Sequence, residues 1–192
     1  MKRCLLLLLL WAMLGAAGCS RTDQSDSEAG AQAECVVFDI DGTLTPKVSA
    51  VHTARDGAAT AVQAFADAGY LVIYLSARIR LLQGGIPDWL EENEFPSGRL
   101  HLTESREERK NHAAFKAGVL QTYRAAGWRC IAAYGDSSSD FEAYVSAGIS
   151  PQRIFALKRA GADSCQPGEW AGCYETWEEQ MGIILDIIEA RD

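Results

Sequence analysis

Residues Cys35–Pro46 read CVVFDIDGTLTP. The apolar run Cys35–Ile40, rich in valine and isoleucine, has the composition of a buried strand. It ends in two carboxylates, Asp39 and Asp41, and Gly42 follows at once. Residues two apart on a strand share a face. At the strand's end the backbone turns, so one carboxylate can attack a bound group while the other approaches its leaving atom. Gly42 allows that turn to be sharp. Two like charges at the end of a buried run require a counter-charge, and the rest of the chain can be searched for it.

Working outward, short β-rich runs alternate with helical patterns. The runs are Cys35–Ile40, Tyr70–Ser76, Leu100–Thr103, Cys130–Tyr134 and Arg153–Leu157. Helical patterns occupy Asp56–Ala68, Pro87–Glu94, Glu107–Ala126 and Asp140–Ala147, and Trp177, Met181, Ile184, Leu185 and Ile188 mark a last helix by their spacing. Gly69 and Gly127 are placed as helix stops. This alternation predicts an α/β fold: a three-layer sandwich with a central parallel sheet and right-handed crossovers. In such sheets the site lies outside the carboxyl ends of the strands. The first run ends in Asp39 and Asp41, the second in Ser76-Ala77-Arg78, and the fourth is followed by Gly135-Asp136-Ser137-Ser138-Ser139-Asp140. Four carboxylates, a hydroxyl and a guanidinium thus converge on one rim. Clustered acids raise one another's pKa unless a cation sits among them, and an all-oxygen donor set suits Mg²⁺.

The 192 residues carry 18 Lys and Arg against 26 Asp and Glu, a net charge of −8, which argues against nucleic-acid binding and against general attraction to an anionic membrane. The first residues read differently from the rest. Met1-Lys2-Arg3 is basic, Cys4–Leu14 is almost wholly apolar, and small residues lead to Cys19, the pattern of a signal peptide over residues 1–18. The small residues ending at a cysteine resemble a bacterial lipobox. That resemblance implies lipidation of Cys19 and, with Ser20 next, an exported protein on the periplasmic face of an outer membrane. Residues 19–34 then form a polar tether with a reach of roughly 20 Å, and the folded domain occupies residues 35–192. Four cysteines remain for an exported domain, where disulfides persist. Cys165 and Cys173 lie close together in a Gly-Pro-rich loop and are the favoured pair. Cys35 and Cys130 each open an apolar run; they form either a second disulfide between neighbouring strands or two buried thiols. No C-x-x-C motif is present, which argues against zinc.

The stretches FDIDGTLT, YLSAR, FKAGVL and YGDSSSD occur in the order of the four motifs of haloacid dehalogenase-like (HAD) phosphohydrolases, and the chain resembles that superfamily from about Val36 to Leu157. DIDGTLT, AGYLVIYLSAR, WLEENEFPSG and AAYGDSSSDFEAYVSAGISPQRIF look most like the lipin-type phosphatidate phosphatases and the related domain of phosphatidylinositol-transfer proteins. The chain departs from that branch in carrying Asp136 where Asn is usual. The resemblance implies that Asp39 is a nucleophile forming an aspartyl-phosphate and Asp41 a general acid and base. Asp39, the backbone carbonyl of Asp41, Asp136 and Asp140 would hold Mg²⁺. Ser76, Lys116 and backbone N–H groups around Gly42 and Thr43 would bind the phosphoryl group, with Arg78 beside them.

Cap insertions distinguish HAD enzymes. Only 10 residues separate Thr45 from Asp56, and the 39 between Ser76 and Lys116 are largely used by the core, so no cap domain is expected. An open site suits a large or surface-presented substrate. The expected function is a Mg²⁺-dependent phosphatase of the cell envelope acting on a phosphomonoester, with a phosphatidate-like lipid phosphate as one candidate. The alternatives are a non-catalytic phospholipid-binding module and a phosphatase of soluble phosphomonoesters. Arg80, Arg106 and Arg109 are further candidates to hold an anionic headgroup.

Overall fold

The structure, a computed structural model, describes residues 32–191. The expected signal peptide, the lipidation site Cys19 and nearly all of the tether lie outside the described residues. Six strands form one sheet: β1 (Glu34–Asp39), β2 (Leu71–Ser76), β3 (Arg99–Leu102), β4 (Arg129–Gly135), β5 (Ile154–Leu157) and β6 (Gly172–Tyr174). Their order is β3-β2-β1-β4-β5-β6, and every pairing is parallel. The helices are α1 (Ala58–Asp67), α2 (Ile86–Glu92), α3 (Arg106–Lys110), α4 (His112–Ala125), α5 (Ser138–Ser146) and α6 (Trp177–Glu189).

β1 lies between β2 and β4 because its side chains are buried on both faces. Val36 and Phe38 face a core built with Ala61, Val62 and Phe65 of α1 and Trp177 and Ile184 of α6. Cys35 and Val37 face a second core with Leu120 of α4 and Phe141 and Tyr144 of α5. The period of two along the strand thus makes the three layers. The aromatic rings of the first core sit directly beneath the loop after β1. Phe38 stacks on Tyr134 at 5.1 Å, Trp177 lies 5.9 Å from Phe38, and Trp177 Nε1 donates to Thr43 O at 3.3 Å.

Three features differ from the sequence expectation. β1 begins at Glu34, whose carboxylate is buried and paired with Arg129 and Arg191. β6 was not expected: it is three residues long, starts on a glycine and lies at the sheet edge, so no apolar run marks it. The helix expected over Glu107–Ala126 is two helices. Ser105 caps α3 in a capping box with Glu108, and Asn111 breaks the line at φ −133°, ψ 83° and caps α4 by accepting from the Ala114 N–H at 3.0 Å. The expected absence of a cap holds among the described residues. The β1–α1 connection contains only turns after Leu44, and the β2–β3 connection contains a 3₁₀ turn at Arg80–Leu82 and α2. No described helix is long and apolar enough to cross a membrane.

Cys165 and Cys173 are joined, which ties the loop after β5 to the edge strand β6. Cys35 and Cys130 stand as two thiols, the second of the two readings left open above.

Candidate phosphoryl-transfer site

The chain runs outward from β1 to β2 and β3, then returns to β4 on the other side of β1, so the order reverses at the carboxyl ends of β1 and β4. That reversal opens a crevice at the strand ends. Asp39 is the last residue of β1, Ser76 the last of β2, and Asp136 follows β4.

Asp39, Asp136 and Asp140 bring one carboxylate oxygen each to within 4.8 Å of one another, and all three are buried. Lys116 of α4, itself buried, donates to Asp39 Oδ1 and, at 2.5 Å, to Asp140 Oδ1. Arg159, just beyond β5, pairs with Asp136. Three carboxylates therefore face two cations within one cluster. Burial, with Asp140 nearby, pushes the Asp39 carboxyl well above its usual range, against the pull of Lys116. Burial also pushes Asp136 up, to about 6, against the bond from Arg159. Asp140 is held low: burial opposes ionisation, but the charge and hydrogen bond of Lys116 and the bonds from Ser137 outweigh it. Lys116 is held above its ordinary value because Asp140 and Asp39 outweigh the effect of burial. Buried carboxyls of which two are pushed up by burial are a receptive site for a divalent cation, whose charge would favour the ionised form. The donors are all oxygens, as a hard ion requires.

Asp140 has two functions in the fold. Its Oδ2 accepts from Ser137 Oγ at 2.8 Å and from the N–H groups of Ser137 and Asp136 at 3.1 and 3.2 Å, which closes the capping box of α5. Its Oδ1 faces Lys116. The helix start thereby fixes the carboxylate that faces the cluster.

The loop after β1 is shaped by close approach. Gly42 has φ +94°, and a Cβ there would stand 2.1 Å from Asp136 Oδ2, so only glycine fits. Its N–H donates to Thr45 Oγ1 at 2.8 Å, which takes this donor out of the expected phosphate-binding set as the loop stands. Thr43 Oγ1 donates to Asp39 Oδ2 at 3.1 Å and aims the carboxylate.

Asp41 is not one of the three clustered carboxylates. Its Oδ1 accepts from Arg78 Nη2 and Nε at 2.6 and 2.9 Å, and its Oδ2 accepts from Ser76 Oγ at 2.7 Å. The Arg78 N–H in turn donates to Ser76 Oγ at 3.1 Å. Ser76 and Arg78, expected to hold phosphate, are here occupied in holding Asp41. All the expected residues are brought to one rim, but in two groups: Asp39, Lys116, Asp136 and Asp140 in one, Asp41, Ser76 and Arg78 in the other.

Lys116, Asp136 and Asp140 of the first group and Asp41 and Arg78 of the second line a cavity of about 570 Å³, with Asp39 and Ser76 buried behind them. Val48, Val51, Ile79 and Leu82 form an apolar wall; Arg109, His112 and Arg159 are also part of the lining. Arg80 and Arg106 do not line it. Of the apolar wall, Ile79 is 56% exposed, Val48 48% and Leu82 42%, so the cavity carries apolar side chains in water.

Two arginines of the site were not singled out from sequence. Arg159 follows the end of β5, where the strand-end rule applied to Lys158-Arg159 would have found it. Arg55 Nη2 donates to the carbonyls of Gly42, Lys158 and Pro46 at 2.8, 3.0 and 3.1 Å, and so pins the loop after β1 to the end of β5. Nothing in the local sequence around Arg55 signals that.

A family model described as PITM 1-3, LNS2 domain, matches residues 36–158. Protein retinal degeneration B of Drosophila melanogaster is 32% identical over 135 residues, 67% of this chain and 10% of that protein. Membrane-associated phosphatidylinositol transfer protein 1 of Homo sapiens is 30% identical over 132 residues, 66% of this chain and 10% of that protein. The chain therefore spans about a tenth of the length of these relatives. Among solved structures, the D,D-heptose 1,7-bisphosphate phosphatase from B. bronchiseptica, complexed with magnesium and phosphate, aligns with a TM-score of 0.56 at 16% identity, over 82% of this chain and 99% of that one. The likeness is one of fold, the α/β sandwich with a central parallel sheet that the alternation of strands and helices predicts.

Proposed function

The chain belongs to the PITM 1-3, LNS2 domain family, and we propose that it is a divalent-cation-dependent phosphohydrolase that cleaves a phosphomonoester, with a phosphatidate-like lipid phosphate as substrate. The observation that carries the reading is the pairing of Asp39 with Lys116 in a buried carboxylate cluster, of which Lys116, Asp136 and Asp140 form the floor of a cavity walled by Val48, Val51, Ile79 and Leu82. The floor suits a phosphate; the wall suits the hydrocarbon beside it.

Asp39, Asp136, the Asp41 carbonyl and Asp140, directly or through water, would hold a divalent cation such as Mg²⁺, which would supply charge neutralisation at the phosphoryl oxygens. Lys116 and Thr43 each donate to one oxygen of Asp39 and so fix the carboxylate from which the attack comes. Asp39 attacks phosphorus, the bond to the ester oxygen breaks, and Asp41 gives that oxygen a proton. Water then attacks the aspartyl-phosphate, Asp41 accepts its proton, and Asp39 is freed with inorganic phosphate. For this cycle Asp41 must leave Arg78 and Ser76, whose freed donors then meet phosphoryl oxygens. Lys116 lowers the repulsion between the phosphate and the acidic cluster throughout.

A second reading, a phospholipid-binding module without turnover, is favoured by the engagement of Asp41 with Arg78 and Ser76 and by the transfer proteins among the relatives. The anchored, periplasmic location inferred from residues 1–19 belongs to the proposal and would bring the open rim to a bilayer. The test is release of inorganic phosphate, with Mg²⁺, from phosphatidate in mixed micelles and from a panel of soluble phosphomonoesters. Release from micelles at a higher kcat/KM supports the lipid reading. Release from soluble esters alone discards it, and release from neither, with retained binding of phosphatidate micelles, leaves the binding module.

A further inference from the structure

The far end of the sheet from this site carries a second reactive group. Cys35 and Cys130 are Cα partners across β1 and β4, and the register shifts immediately after Cys35. Both contribute to the same core, and their sulfurs are 2.7 Å apart. Neighbouring strands lie about 4.8 Å apart, inside the Cα separations of roughly 4.4–6.8 Å that a disulfide spans. The two sulfurs are not equivalent. Cys35 is fully buried, whereas Cys130 is half-buried and lines a cavity of about 320 Å³ together with Arg124, Trp128 and Arg129.

We propose that Cys35 and Cys130 form a dithiol site that exchanges with external disulfides, with Cys130 as the attacking sulfur and Cys35 as the resolving one, and that its product is a disulfide stapling β1 to β4. The incoming reagent is a small-molecule disulfide, or the disulfide of a thiol oxidoreductase, admitted by the cavity at Cys130. The cationic side chain of Arg124 favours an anionic reagent there, while Arg129 is paired with Glu34. The Cys130 thiolate attacks one sulfur of the reagent, the reagent's S–S bond breaks, and one thiol is released. Cys35 then gives up its proton and attacks the Cys130 sulfur, and the second thiol departs. Two electrons pass from the protein to the reagent, and two protons end on the released thiols. The hydrogen bond from Cys35, against the effect of burial, draws Cys130 below the usual thiol value, while the same contact and burial hold Cys35 protonated. The staple closes a loop of 95 residues between the two strands whose opposite ends carry Asp39 and Asp136.

The test uses the full chain recovered from the envelope fraction of its expression host and equilibrated in glutathione buffers of graded ratio. Peptide mapping after blocking free thiols is expected to yield a Cys35–Cys130 cross-linked peptide beside Cys165–Cys173, and oxidation is expected to raise Tm by about 10 °C. Cys35→Ala is expected to stop at a glutathione adduct on Cys130, and Cys130→Ser to leave Cys35 unmodified in the folded chain. Both thiols staying alkylatable in excess oxidised glutathione would overturn the proposal. So would a Cys35 adduct forming in folded Cys130→Ser as fast as the Cys130 adduct in Cys35→Ala. The mapping of the unsubstituted chain decides the matter even if a variant fails to fold.

Discussion

Replacing Lys116 by Met keeps the length and packing of a buried side chain and deletes its charge. Lys116 is the cation between Asp39 and Asp140, and all three are buried. Breaking a buried pair by removing one partner leaves uncompensated charge and costs about 3–5 kcal/mol. For a domain of this size that corresponds to a fall in Tm of about 10 °C. The loss should depend on pH with a definite sign. Asp39 and Asp136 already have folded-state pKa values above their unfolded ones, and without Lys116 Asp39 rises further and Asp140 loses the charge and bond that hold it low. A carboxyl raised in the folded state stabilises below its unfolded pKa, and that stability is lost as pH rises through the folded pKa. Lys116→Met should therefore be nearly as stable as the parent at pH 4 and fall furthest behind above pH 7. Differential scanning calorimetry of both proteins in metal-free buffer from pH 4 to 8 measures this. Equal Tm values at pH 7.5, or a deficit that does not shrink on acidification, would refute the electrostatic account of the cluster. Mg²⁺ should restore part of the deficit without restoring turnover, which should drop about 10²–10³-fold.

Asp39→Asn should reduce phosphate release to background while near- and far-UV circular dichroism stay unchanged; wild-type turnover would remove Asp39 as nucleophile. Gly42→Ala forces a Cβ against Asp136 at a positive φ, and chemical denaturation should show a loss of about 1–3 kcal/mol together with weakened Mg²⁺ binding by calorimetry. Protons and cation compete for Asp136, whose carboxyl is pushed up to about 6. The Mg²⁺-induced rise in Tm should thus be large at pH 8 and vanish by pH 5; a pH-independent rise would place the ion elsewhere. Arg78→Ala removes the bidentate partner of Asp41 from a pair whose side chains are 6% and 13% exposed, and should lower both Tm, by several degrees, and kcat, by about 10-fold, as read from a thermal melt and steady-state kinetics.

Read alone, CVVFDIDGTLTP and the runs like it carried the parallel sheet, the five longer strands and the convergence of Asp39, Asp41, Ser76, Asp136 and Asp140 on one rim. Those follow from local rules: side-chain period, strand polarity, and glycines or capping residues at element ends. The break at Asn111 was legible in principle, because Asn is a capping residue, yet the amphipathic pattern across it hid the split. Of the two lysines near that break, Lys110 ends α3 exposed and Lys116 is buried in α4. Partner choice belonged to the tertiary structure. That Asp41 turns to Arg78 and Ser76 rather than to the other acids, that Arg159 meets Asp136, and that Arg55 pins three distant carbonyls depend on contacts between residues far apart in sequence. The same holds for Cys35 and Cys130, which only the β1–β4 register brings together. Local sequence sets which way a strand points and where it ends; which charges meet there depends on the packing of the whole sheet and its helices.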